Sequence, residues 1–306
     1  MNASPKKPYN KPFKTYAEQI ELLKSRGMVI EDEAKATFYL QHLNYYRLAA
    51  YWLPFEDEKH KHLLKEGTSF QQVLDLYNFD RALRLLILDA VERLEVSFRA
   101  IWAYEMARLH GSHAHLKADL WKDPALHRAN HDKLLDEVGR SKEVFILHLQ
   151  NTYSETLPPI WAVCEVMSLG LLSRYYKNLS VQSNVSSIKK TIAQHYGVTH
   201  PFLESVLHQL TIIRNICAHH SRLWNRHLLF RPAKVKYAPP TLVQAYQEDD
   251  DRIFNLLIIL LHFMDRISPE HTWRSEMKSL LLANKAYLKA MGFPSGWEHY
   301  ALWETP

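Results

Sequence analysis

The sequence reads as an all-α protein, a single compact helical bundle. Apolar residues recur at spacings of three and four through most of its length, the period of an amphipathic helix. Glycine is scarce, 8 of 306 residues, and alternating Val/Ile/Thr runs are few, which argues against a sheet. Hydrophobic residues make up 47% of the chain, enough to fill a core. No repeat or linker composition divides it. Residues 14–306 therefore read as one helical domain behind a flexible, Pro- and Lys-rich arm of residues 1–13.

Each element has its own signal. Thr15 with Glu18 three residues on forms a capping-box pattern, and Gly27 stops the short helix that follows. The apolar spacing predicts a second helix from Glu33 to Trp52, then a charged loop from Glu56 to Gly67. Ser69 caps the longest pattern, Phe70 to His110, with Asp80-Arg81 as a candidate bend. Shorter helices are expected at Asn130–Val138 and Glu143–Asn151. Pro158-Pro159 is a breaker, and two more short helices flank Gly170, at Trp161–Met167 and Leu171–Leu179. Ile188 to Tyr196 is amphipathic and stops at Gly197. Pro201 suits the first turn of a helix expected to run to about Asn225, because its missing N–H costs nothing there. A Pro-containing basic loop, Phe230 to Pro240, comes next. Accessory helices follow from about residue 250 to 306, with Asp249-Asp250-Asp251 placed where acids suit a helix dipole.

The formal charge is 38 − 33 = +5, a mild bias towards polyanions. Its distribution says more. Between Glu204 and Glu248 there is no acidic residue, while the span holds Arg214, Arg222, Arg226, Arg231, Lys234 and Lys236 with four histidines. Cys164 and Cys217 lie far apart in apolar helical contexts and read as buried thiols of a reducing compartment. The start lacks an apolar leader, and the longest apolar run, Ile253 to Met264, is too short to span a bilayer. The expected location is cytoplasmic, with no membrane partner.

The stretch that carries chemistry is Arg214-Asn215-Ile216-Cys217-Ala218-His219-His220-Ser221-Arg222-Leu223-Trp224-Asn225-Arg226. Arg214 is a permanent cation with a planar donor fork suited to phosphate. His219 can take and give a proton near neutral pH. Together they suffice, in principle, to cleave a phosphodiester beside a 2′-hydroxyl, with no metal or other cofactor. Yet five residues at about 100° each put them roughly 140° apart on a helix, so they do not share a face. Either the helix bends or ends between them, or a second copy of the motif completes the site. A two-fold dimer that sets two such helix ends side by side is the favoured answer.

R-N-x-x-x-H on a late helix resembles the signature of the HEPN superfamily. The longer block, with N-Y-Y-R-L at Asn44–Leu48 and L-Y-x-F-D-R-x-L-R at Leu76–Arg84, resembles the Abi-like proteins of phage abortive infection, the AbiD/AbiF group. The likeness runs from about Tyr9 to about Phe230. It implies a HEPN-type helical bundle with additional helices. It also implies a metal-independent RNase that works as a homodimer, kept in check by a protein or RNA antitoxin or by absence of infection. Arg214 would anchor phosphate, Asn215 would orient the pair and His219 would move the proton. R-x5-H is also a HEPN spacing, so His220 shares the candidacy. Arg222, Arg226, Arg231, Lys234 and Lys236 would track RNA, and Tyr45 and Arg47 could stack on bases or pack inside a helix pair. Non-catalytic HEPN members that hold nucleotides or RNA provide the alternative function.

Other constellations read as structural. Arg108 and His113 also fit R-x4-H, but Gly111 ends their helix. His110, His113 and His115 match no zinc spacing. Glu95 and Arg99 fall at i and i+4, a helix ion pair.

Overall fold

The computed structural model describes residues 8–57, 62–180, 186–228, 238–248 and 251–304. Thirteen α-helices and no strand occur among them, so the chain is all-α as its periodicity requires. The chain divides inside its longest helix, after Arg81, into two compact units.

The first unit opens at Thr15. Its hydroxyl accepts from Glu18 N, and Glu18 Oε2 accepts from Thr15 N at 2.6 Å, which closes the capping box and starts α1, Tyr16–Ser25. The single helix expected from Glu33 to Trp52 is in fact two, α2 (Glu33–Leu43) and α3 (Tyr45–Trp52). Asn44 separates them with a φ of +64°, and its side-chain oxygen accepts from Tyr46 N at 2.9 Å. A short amide side chain that bonds its own local backbone is what lets asparagine hold such a conformation. Tyr51 donates to the buried Asp80 at 2.6 Å, which ties α3 to the start of the long helix that follows.

Helix α4, Phe70–His110, runs unbroken for 41 residues, with Ser69 and Gln72 exchanging N-terminal hydrogen bonds. α5 (Pro124–Arg140), α6 (Val144–Thr152), α7 (Ile160–Val166) and α8 (Leu169–Asn178) follow in the second unit, where α4 meets α7 through Arg99 on Cys164 O and α8 through Phe98 edge-on to Tyr176. α5 begins earlier than the apolar pattern implies, because Asp123 caps it through bonds from Ala125 N and Leu126 N ahead of Pro124. Gly170 lies inside α8, not before it, since Ser168 is the cap. A Cβ at Gly170 would sit 3.3 Å from Thr211 Cγ2, so the glycine sets the approach of α8 to α10. α9 is Ser186–His195 and α10 is His200–Ala218, both packed together. α11, Pro240–Ala245, starts at the last residue of the expected loop and has no counterpart in the sequence reading, and α12 and α13 span Phe254–Ile267 and Trp273–Ala283.

α12 explains the long apolar run. Every residue from Phe254 to Met264 is buried, as a helix apolar on all sides must be. The two polar residues within it are bonded: Asn255 to the backbone of Gln247 at 2.6 and 2.9 Å, and His262 Nε2 to Tyr196 O at 2.9 Å. Among the described residues no helix is long and apolar enough to cross a membrane.

Candidate active site at the end of helix α10

α10 buries Phe202, Leu203, Val206, Leu207, Gln209, Leu210, Ile213 and Cys217 on one side. Against 100° per residue, its outer face carries His208, Ile212, Asn215 and His219, all exposed. Arg214 is exposed too, about 100° from Asn215 around the axis. The helix stops at Ala218, not near Asn225 as its spacing suggested.

The stop has a definite form. His220 N donates to Cys217 O and Ser221 N to Ile216 O, each at 3.0 Å, with His220 at a φ of +56°. This is a Schellman end with histidine in the place glycine usually takes. Leu223 and Trp224 then turn inward and are buried, with Trp224 Nε1 donating to Tyr287 O at 3.1 Å. Asn225, also at positive φ, is gripped by Arg252, which bonds both its carbonyl and its side-chain oxygen. The helix end and the turn behind it are thus fixed to the core on both sides.

The end of α10 does fall between Arg214 and His219, but no hydrogen bond joins the two side chains. His219 N still donates to Asn215 O at 3.0 Å, so α-helical geometry sets where His219 leaves the backbone. Asn215 and His219 share the outer face, and Arg214 stands away from it. Arg214, Asn215 and His219 make no side-chain hydrogen bond or ion pair among the described residues. His220 is exposed beside them. Arg226 is exposed and bonds Arg222 O at 3.1 Å, curling the turn on itself. Arg231, Lys234 and Lys236 lie outside the described residues.

The basic run is not without acid in space. His227 Nδ1 lies 2.7 Å from Asp251 Oδ2, and Leu228 N donates to Asp251 O at 2.6 Å. Asp251 therefore ties the turn down instead of serving the first turn of α12. Sequence reasoning missed Asp251 and Arg252 as partners of the motif, since nothing local marks contacts 24 to 27 residues away.

Tyr45 and Arg47 sit on α3 in the first unit. Tyr45 accepts from Arg26 Nη1 at 2.8 Å and packs edge-on against Trp52 at 4.9 Å, and burial raises its hydroxyl above the usual range. Arg47 is exposed. Glu95 and Arg99 form the expected ion pair, and Arg99 also reaches Cys164 O, joining α4 to α7. Arg108 holds the buried Glu105 through Nε and Nη2, at 3.1 and 2.7 Å, while His113 bonds Leu157 O at 3.2 Å. Both cysteines are buried, and burial pushes the Cys164 thiol well up.

Residues 38–225 match the family model described as Abi-like protein, which is well over half of the chain, and the chain belongs to that family. The match begins within α2, later than the likeness in the sequence suggested, and ends at Asn225, where Arg252 grips the turn. No curated protein and no solved structure matches the chain significantly.

Proposed function

We propose that this protein is a metal-independent endoribonuclease of HEPN type that acts in abortive infection. The observation that carries this reading is the state of Arg214, Asn215 and His219: exposed and unbonded among the described residues, on a helix end fixed to the core. Arg99, Arg108, Arg252 and Arg274, by contrast, are spent on carboxylates or carbonyls of the chain itself. Polar groups held in place without internal partners are available to a ligand.

In the proposed reaction the 2′-oxygen attacks the neighbouring phosphorus as a histidine imidazole removes its proton. Arg214 settles charge on the non-bridging oxygens. The bond to the 5′-oxygen breaks, that oxygen takes a proton, and a 2′,3′-cyclic phosphate and a 5′-hydroxyl remain. His219 is the proton-transfer group, with His220 the alternative, and Asn215 orients the phosphate or the imidazole. Arg222 and Arg226, with Arg231, Lys234 and Lys236, follow the backbone on either side. Because Arg214 and His219 leave the helix in different directions, each site takes its arginine from one copy and its histidine from the other. Such an activity needs restraint, and a protein or RNA antitoxin is the class of partner that would provide it.

The test is incubation of the purified protein with RNA in EDTA. Cleavage leaving cyclic phosphate ends is expected, falling by about 10²-fold or more in His219→Ala. RNA that is bound and never cut would instead favour a non-catalytic binding module.

A further inference from the structure

One row of side chains on α4 faces outward: Glu92, Val96, Ala100, Tyr104 and Arg108, each four residues from the next and each exposed. Val96 is 56% exposed and Tyr104 64%, large values for apolar groups on a helix. The row is antisymmetric about Ala100. An acid ends it on one side and a base on the other, with a large apolar side chain between each end and a central methyl.

We propose that this row is a self-pairing surface whose occupant is a second copy of this chain, running antiparallel. A two-fold axis at Ala100 sets Ala100 against Ala100, Val96 against Tyr104 and Glu92 against Arg108, each unlike contact made twice. Rows of i±4 side chains incline about −26° to a helix axis, so two copies crossing near −50° lay these rows side by side. The alanine at the crossing point permits close approach. Arg108 spends Nε and Nη2 on Glu105, which leaves Nη1 for the partner copy.

The surroundings fit the same occupant. Beside the row lies a groove of about 560 Å³ floored by Ala103 and Ala107. Its far wall is α7, with Trp161 and Glu165. The two-fold arrangement brings the partner's Val96 to this end of the row, a side chain small enough to enter. Glu92 and Glu165 flank the patch and repel phosphate, so the surface favours protein over nucleic acid. The inference does not rest on the ribonuclease reading, and the face is not that of α10. If both faces pair, copies assemble beyond the dimer.

The test combines sedimentation with cross-linking. The wild type should self-associate at micromolar concentration, and Glu92→Arg and Ala100→Arg should each weaken association at this face by about 100-fold. Mixing Glu92→Arg with Arg108→Glu should restore it, because both cross-pairs in the mixed species are then opposite in charge. Since Arg108 also holds buried Glu105, Ala100→Cys gives a second route. With Cys164 and Cys217 buried, mild oxidation should link two copies through residue 100 alone. The proposal is overturned if the wild type is monomeric, or if Glu92→Arg and Ala100→Arg associate as the wild type does. It is equally overturned if Ala100→Cys forms no cross-link, or if these variants lose RNA binding with association unchanged.

Discussion

His220 stands where helix ends usually place glycine. A left-handed histidine costs about 1–2 kcal/mol, and here the cost falls beside the candidate chemistry. His220→Gly is therefore expected to stabilise the fold by about 1 kcal/mol in urea unfolding. If His219 carries proton transfer, the same variant keeps its RNA cleavage, whereas lost cleavage moves the role to His220. His115 presents a different residue-scale effect. It is buried, neither ring nitrogen has a partner among the described residues, and burial holds its pKa down to about 3, helped by the charges of His113, His131 and His127. The unfolded chain takes up this proton near pH 6.5, so stability present above that value is lost as pH falls towards 3. Thermal melts at pH 7, 5 and 4 should show a smaller acid loss in His115→Leu than in the wild type. The sequence offered no sign of either feature. A histidine in the place of the usual glycine hides the helix end from a sequence reading, and the burial of an imidazole without partners arises from contacts across the fold.

At the scale of elements, helices with local signals were legible: Thr15 with Glu18, Ser69 ahead of a 41-residue apolar period, Pro201 near the start of α10. Boundaries failed where a side chain overrode the period. Asn44 split one expected helix, and the bonds around His220 ended α10 early while the apolar pattern ran on into Leu223 and Trp224, which are buried outside any helix. α5 was read short although Asp123-Pro124 marks a capped start. Gly170 looked like a break and is instead the close contact that seats α8 on α10. Gly170→Ala should be nearly neutral, because a helix-propensity gain of about 1 kcal/mol offsets a tight methyl. Gly170→Leu should cost about 1–3 kcal/mol through overpacking. Thermal unfolding of the pair measures both, and a Leu variant as stable as the wild type would show that α8 does not set the position of the motif helix.

At the scale of the whole molecule, the family was legible from three short blocks because they are spread over most of the matched span. Their work in the structure is largely architectural: Asn44 caps, Asp80 accepts from Tyr51, Trp224 anchors. Arg214, Asn215, His219 and His220 are exposed at the motif's helix end. The helical spacing of Arg214 and His219, legible from the first, persists in the structure and leaves each copy with half of the proposed geometry. The most direct measurement is therefore complementation in trans. Arg214→Ala and His219→Ala are each expected to be inactive on RNA. Mixed and allowed to exchange subunits, they should regain up to about a quarter of wild-type cleavage, since half the dimers are then mixed and each holds one intact site. A mixture that stays as inactive as its components, although mixed dimers have formed, would show that arginine and histidine act within a single chain, and the composite site would be wrong.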